Sequence, residues 1–126
     1  MAIQDDINKL LLVKKVEVKF SRNALSDYKS YTEGMRRNIV ALILRQALKK
    51  NPLLKPEGNG EPLYNEHTGF AKIKPKALSL RIVYRVTKLV KGIIRMEIIA
   101  IGPRDKEKVY QMAVERLVSF RQEMSE

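Results

Sequence analysis

The stretch FAKIKPKALSLRIVYRVTKLVKGIIRMEIIAIG, residues 70–102, decides the fold because it contains three strand patterns in succession. FAKIK (70–74) and LRIVYRV (80–86) alternate charged and apolar side chains, as half-buried strands do. IIRMEIIAIG (93–102) is nearly all apolar, which is typical of a central strand. We therefore predict a small, largely antiparallel β-sheet as the centre of the fold.

Amphipathic segments precede these strands. Residues 3–11 place isoleucine and leucine at helical spacing, which predicts a short helix, and VEVKF (16–20) alternates as a further strand does. Ser21 is a plausible cap for a helix that follows, and Gly34 separates this helix from a more buried one. The second helix, MRRNIVALILRQALKK (35–50), must end before Asn51-Pro52 because the residue before proline avoids helical angles. Together they predict a helical hairpin.

The chain closes with another helical pattern. Its apolar seam has spacings of four, four, three and four and consists of Val109, Ala113, Leu117, Phe120 and Met124. The predicted order is therefore helix, strand, two helices, three strands and helix. This order is typical of an α+β domain in which a small sheet packs against an N-terminal helical hairpin and a C-terminal helix.

Composition excludes several classes of protein. The 126 residues suit one domain, and the absence of cysteine excludes a disulfide scaffold and a thiolate metal site. With His67 as the single histidine, a histidine-based metal centre is also disfavoured, so we predict no metal and no cofactor. The sequence shows neither a bilayer-spanning apolar run nor a signal peptide, which predicts a cytoplasmic protein without a membrane partner.

The net charge of +11 is unevenly distributed. Residues 67–96 contain eight Lys or Arg and no Asp or Glu, which is a local charge of +8. A block of one sign lacks partners within itself, and this favours an external polyanion, with nucleic acid the first choice. A solvated basic face that only maintains solubility is the alternative.

Alternation along the strands brings part of this charge together. Lys72 and Lys74 share one face of the sheet, and Arg81 and Arg85 can share it from the neighbouring strand. Arg104 and Tyr110 follow at the corner between the last strand and the last helix. Clustered cations stabilise negative charge on a phosphate and can lower the pKa of a nearby lysine or tyrosine. A group with a lowered pKa could take a proton from an RNA 2′-hydroxyl, so that this oxygen attacks the adjacent phosphorus without a metal ion.

Five short motifs occur in a fixed order along the chain, namely VEVKFSRNAL, NGEPL, GFAKIK, LRIVYRV and IGPRDKEKVYQMAVER. In this order they resemble the RelE/ParE toxin superfamily, and more specifically its RelE-type, ribosome-dependent mRNA interferases. The resemblance implies one toxin domain over residues 1–126, with the family core at 15–116. Residues 1–14 are then an N-terminal amphipathic extension, and 117–126 prolong the C-terminal helix.

The resemblance also implies an activity and its residues. In such toxins of type II toxin–antitoxin systems, the matching groups bind and cleave mRNA in the ribosomal A site, where 2′-hydroxyl attack leaves a cyclic phosphate. The implied partners are a cognate antitoxin with an acidic or amphipathic segment, mRNA and the small ribosomal subunit. The matching positions are Lys72, Lys74, Arg81, Arg104 and Tyr110.

The sequence also leaves alternative residues and alternative functions open. Some branches of the superfamily use a glutamate of an EPL-like loop as general base, which is Glu61 here, together with a C-terminal histidine that this chain lacks. We predict that Lys76 and Arg85 contact RNA and that His67 is structural or exposed. The alternatives to an mRNA interferase are a ParE-like toxin that inhibits DNA gyrase by binding, and a basic RNA-binding module without activity.

Overall fold

The computed structural model of the chain describes residues 2–12, 14–49 and 51–125. Four helices and five strands follow one another as α1 (Ala2–Leu10), β1 (Val16–Phe20), α2 (Arg22–Ser30), α3 (Glu33–Leu48), β2 (Glu61–Pro62), β3 (Phe70–Ile73), β4 (Leu80–Lys88), β5 (Ile94–Pro103) and α4 (Lys108–Met124). The strands form one sheet in the order β1-β5-β4-β3-β2. β1 pairs with β5 in parallel and every other pair is antiparallel, so the predicted α+β architecture is confirmed.

Side-chain caps start both helices of the predicted hairpin. The hydroxyl of Ser21 accepts from the backbone N–H of Ala24 at 3.0 Å, as the sequence predicts. Thr32 caps α3 in the same way, with the N–H of Met35 at 3.3 Å. The prediction that Gly34 separates the two helices is wrong, because the cap at Thr32 places Gly34 within the first turn of α3.

Helices cover both faces of the sheet. Against one face, α1, α2 and α3 enclose a core of aliphatic side chains that includes Ile43, Ile82 and Ile98. Tyr84 is fully buried in this core, as predicted. Against the other face, α4 packs its predicted seam around Phe120 and Val83. The alternation of β4 is therefore confirmed, since Ile82 and Val83 belong to opposite cores.

Amide side chains of α1 occupy the outer edge of β1. Asn8 donates to the carbonyl of Val18 at 3.0 Å and accepts from the N–H of the same residue at 2.8 Å. Gln4 accepts from the N–H of Phe20 at 2.8 Å. An edge strand has one row of backbone groups that no other strand satisfies, and α1 satisfies part of this row.

The loop between α3 and β2 is closely packed at a glycine. A Cβ atom at Gly60 would lie 2.8 Å from the carbonyl oxygen of Pro52 and 3.0 Å from the hydroxyl of Tyr84. That hydroxyl donates to the same Pro52 oxygen at 3.2 Å. Packing against buried Tyr84 therefore explains the glycine in this loop.

In the part of the chain that the structure describes, no helix has the length and apolar character to cross a bilayer.

Candidate active site

The register of β2, β3 and β4 brings three of the predicted site residues to one face. Glu61 lies opposite Lys72, which in turn lies opposite Val83. Arg81 is two residues from Val83 along β4 and so shares its face. This is the face against which α4 packs, and the three side chains lie near the N-terminal end of that helix.

Lys74 joins the same group through an ion pair. β3 ends at Ile73, before Pro75, which cannot donate to the sheet. Just beyond the strand end, the ammonium of Lys74 lies 3.4 Å from Oε1 of Glu61. Both side chains are more than two-fifths exposed, so the pair is accessible to a ligand and contributes little to stability.

A glycine on β5 lets the start of α4 approach this group. Gly102 lies opposite Arg81, and a Cβ atom at Gly102 would be 3.0 Å from the sulfur of Met112 and 3.4 Å from Cβ of Val109. The missing side chain therefore allows α4 to lie directly on the strand. As a result Tyr110, next to Val109, reaches the guanidinium of Arg81.

The environment of Tyr110 keeps its proton in place. Burial raises the pKa of Tyr110, and the guanidinium of Arg81 opposes this only in part. The carboxylates of Glu107 and Glu61 raise the pKa further. The expectation that clustered cations lower a tyrosine pKa is thus wrong for Tyr110, because desolvation exceeds the effect of the single arginine beside it.

His67 is a member of the site that the sequence analysis did not assign to it. Its Nε2 lies 2.9 Å from the carbonyl oxygen of Tyr110, and since a carbonyl only accepts, this nitrogen carries the proton. The two rings meet edge to face with centroids 5.7 Å apart. The contact joins residues 43 positions apart, and no local pattern indicates that the turn Asn65–His67 folds onto α4.

Comparison with known proteins gives a consistent result at the level of structure. No family model matches the chain and no curated protein matches it. A YoeB/ParE toxin from Agrobacterium tumefaciens superposes with a TM-score of 0.54 and 25% identity, over 69% of this chain and 96% of that one. An E. coli RelE toxin variant in complex with a peptide of the antitoxin RelBc gives 0.53 and 22%, over 79% and 94%. The chain has the fold of the RelE/ParE toxin superfamily.

Two of the predicted residues lie apart from this group. Arg104 is exposed on the turn before α4, where its backbone N–H donates to the carbonyl of Ser79 at 3.3 Å. Lys76 is exposed in the loop between β3 and β4. Within the described ranges, neither side chain makes a hydrogen bond or an ion pair, so both are accessible to a ligand.

Arg85 is partly buried, with its side chain 25% exposed. Its Nε donates to buried Glu97 at 2.7 Å, and its guanidinium lies 5.0 Å from the centroid of the Phe120 ring. Arg95 donates to the other oxygen of Glu97 at 2.9 Å. The predicted RNA contact of Arg85 therefore has no support in its position. The basic block contains no acidic residue, but part of its charge is nevertheless paired in the folded chain. Glu61 and Glu97, which lie just outside it in sequence, form ion pairs with three of its members.

The described residues contain no group of three or more His, Cys, Asp or Glu side chains that could hold a metal ion. The group that the fold does assemble consists of Glu61, Lys72, Lys74, Arg81 and Tyr110. His67 contacts both the backbone carbonyl and the ring of Tyr110. The group combines cations for a phosphate, a carboxylate and a protonated phenol, which are the groups that acid–base cleavage of RNA requires.

Proposed function

We propose that the chain is the toxin of a type II toxin–antitoxin system and that it cleaves mRNA, with the ribosomal A site as the place of cleavage. The similarity to solved toxins of the RelE/ParE superfamily supports the general role. The main support for this activity is that Arg81, Lys72 and Tyr110 lie close together beside the start of α4. This arrangement combines phosphate-binding cations with a proton donor on one surface.

The reaction is an attack of the RNA 2′-oxygen on the adjacent phosphorus. The new P–O2′ bond forms as the P–O5′ bond breaks, which leaves a 2′,3′-cyclic phosphate and a free 5′-hydroxyl. Lys72 and Arg81 neutralise the charge that develops on the non-bridging phosphate oxygens. Arg104, exposed on the turn before α4, is proposed to support the same charge when RNA is bound.

Proton transfer in this proposal uses Glu61 and Tyr110. The raised pKa of Tyr110 makes the phenol a donor to the departing 5′-oxygen and unsuited to accept the 2′-hydroxyl proton. Glu61 accepts that proton, since its carboxylate is partly exposed and only its Oε1 contacts Lys74. The family pattern of a glutamate base with a C-terminal histidine is thus replaced by a glutamate and a tyrosine.

A decisive experiment compares two arginine variants on translated mRNA. Arg81→Ala is expected to reduce cleavage about 100- to 1,000-fold, the usual cost of removing one preorganised charge donor. Arg37→Ala is the matched control, because Arg37 is largely exposed on α3 and pairs with Glu33 one turn away. Cleavage is detected by primer extension. The cyclic phosphate is detected because it prevents ligation of the new 3′ end of the RNA.

The same preparations separate the alternative functions. A folded Arg81→Ala variant that cleaves at the wild-type rate removes Arg81 from the mechanism. Inhibition of DNA supercoiling by the wild type without any RNA cleavage supports the gyrase-inhibitor alternative. RNA binding without either effect supports the non-catalytic module.

A further inference from the structure

Tyr64 projects from the surface immediately beside the proposed active site. Its side chain is 71% exposed, and among the described residues it is the one aromatic in the group of exposed large apolar side chains. It follows β2 and precedes the turn Asn65–His67, and so lies between the strand of Glu61 and the histidine that contacts Tyr110. Neither packing in the core nor the proposed cleavage reaction accounts for this side chain.

The backbone that carries Tyr64 is held at both ends. On one side the N–H of Leu63 donates to the carbonyl of Phe70 at 2.9 Å. On the other side the N–H of Thr68 donates to the carbonyl of Asn65 at 3.1 Å, and His67 contacts the carbonyl of Tyr110. The backbone position from which the ring projects is therefore preorganised, which lowers the entropic cost of ordering this segment when a ligand binds.

Two hollows adjoin the Tyr64 side chain, and they differ in charge. The smaller, of about 290 Å³, is lined by Tyr64, His67, Lys72, Glu66, Glu107 and Tyr110, and we call it the aromatic hollow. The larger, of about 600 Å³, includes Lys55, Lys72 and Glu61. Lys72 borders both, so a phosphate held by Lys72 lies at the boundary between them.

We propose that the aromatic hollow binds one unpaired nucleobase of the RNA, stacked on Tyr64, next to the phosphate that Lys72 holds. The inference rests on the proposed function, since it concerns the same RNA. Every base has a face that stacks on an aromatic ring, and exposed tyrosines beside a basic groove are a common way to bind single strands. The volume lies near the lower limit of ligand pockets, which suits one planar base.

The polar lining of the aromatic hollow selects among bases. The carboxylates of Glu66 and Glu107 only accept hydrogen bonds, as does a glutamate that accepts from the amino group of cytosine. Cytosine, adenine and guanine carry amino donors, whereas uracil presents carbonyl oxygens on both sides of its single N–H. The hollow therefore prefers an amino-bearing base, and cytosine is the sharpest comparison with uracil.

The test measures binding of short, single-stranded 2′-O-methyl oligonucleotides, which the enzyme cannot cleave because the attacking hydroxyl is blocked. Tyr64→Ala is expected to weaken binding of oligocytidylate roughly 5- to 150-fold, the range for loss of one stacked base. Tyr64→Phe keeps the ring and the affinity. Val118→Ala, at a similarly exposed apolar position on α4, is the control for a general surface effect.

Two further measurements make the proposal specific. Tyr64→Ala is expected to reduce the affinity for the oligonucleotide by the same factor at low and at high salt. The slope of log affinity against log salt concentration is expected to stay unchanged, because no charge is removed. Glu66→Gln and Glu107→Gln are expected to reduce the preference for oligocytidylate over oligouridylate. Unchanged affinity in Tyr64→Ala, or equal binding of the two oligonucleotides by the wild type, overturns the base site.

These outcomes are independent of the cleavage assay. Cleavage that depends on Arg81, together with wild-type binding by Tyr64→Ala, leaves the proposed function in place and removes the base site. Binding that depends on Tyr64, in a wild type that cleaves no RNA, supports the base site and removes the nuclease.

Discussion

Tyr110 retains its proton at neutral pH because burial opposes formation of the charged phenolate. Its pKa lies above the usual value of 10, so the phenol stays protonated through neutral and mildly alkaline pH. We predict that Tyr110→Phe lowers the rate constant of cleavage about 100-fold or more, the contribution of one acid–base group. RNA affinity is expected to change little, since the ring remains.

The pH dependence follows from the same shift. Because burial shifts loss of the Tyr110 proton to a higher pH than in an ordinary tyrosine, cleavage by the wild type is not expected to decline from this cause at neutral or mildly alkaline pH. The measurement is the single-turnover rate of RNA cleavage by the wild type and by Tyr110→Phe between pH 6 and pH 10. Equal rates for Tyr110→Phe and the wild type would contradict a proton-donor role.

At the scale of residues, the sequence predicts which side chains share a face but not what surrounds them. Alternation along β4 correctly placed Arg81 and Val83 together. Nothing in the sequence indicated that Glu97, fully buried, pairs with Arg85, because the partner lies on the next strand. The contact of His67 with Tyr110 was missed for the same reason, since it depends on how a loop folds over a helix.

α4 is attached to the rest of the fold at several points besides its apolar seam. Arg116 forms an ion pair with Asp27 of α2 at 2.6 Å and donates to the carbonyl of Ile99 at 3.0 Å. Near the C-terminal end, Arg95 donates to the carbonyl of Met124 at 3.1 Å. Displacement of the helix would leave these charges without partners in partly buried positions, which is costly.

We therefore expect an antitoxin to cover the site while α4 stays in place. The measurement is hydrogen exchange of the chain alone and in complex with an antitoxin, once a protein that binds the chain and relieves its toxicity has been identified. Protection is expected on β3, β4 and the Asn65–His67 turn, with the amides of α4 as slow to exchange as before. Faster exchange along α4 in the complex would indicate displacement of the helix instead.

At the scale of elements, periodicity predicts most of the chain. The strands around 16–20, 70–74, 80–86 and 93–102 and the last helix lie where the patterns place them. β2 was missed because two residues, one of them proline, carry no periodic signal. Gly34 was misread because a glycine in the first turn of a helix is tolerated when a cap such as Thr32 starts that helix.

The stability of the whole molecule is expected to depend on one buried carboxylate. Glu97 is fully buried between Arg85 and Arg95 and so links β4 and β5 with the end of α4 that Arg95 contacts. Removal of one member of a buried charge network typically costs about 3 to 5 kcal/mol. Glu97→Gln is expected to lower the free energy of unfolding by this amount, measured by urea denaturation.

Glu33→Gln is the matched control for this substitution. Glu33 is 81% exposed and pairs with Arg37 one turn along α3, so its loss is expected to change the free energy of unfolding by less than about 0.5 kcal/mol. Equal midpoints for the two variants would show that Glu97 is not a structural centre of the fold.

The parallel pairing of β1 with β5 has a consequence for the order in which the molecule is built. β1 is synthesised well before its partner strand, since Val16 lies beside Ile94. Contacts between such distant segments form late, after the intervening chain has been ordered. Tyr110 is supplied later still. A nascent chain in which β5 and α4 have not yet been synthesised thus lacks both the closed sheet and the phenol, so under the proposed function it cannot yet cleave RNA.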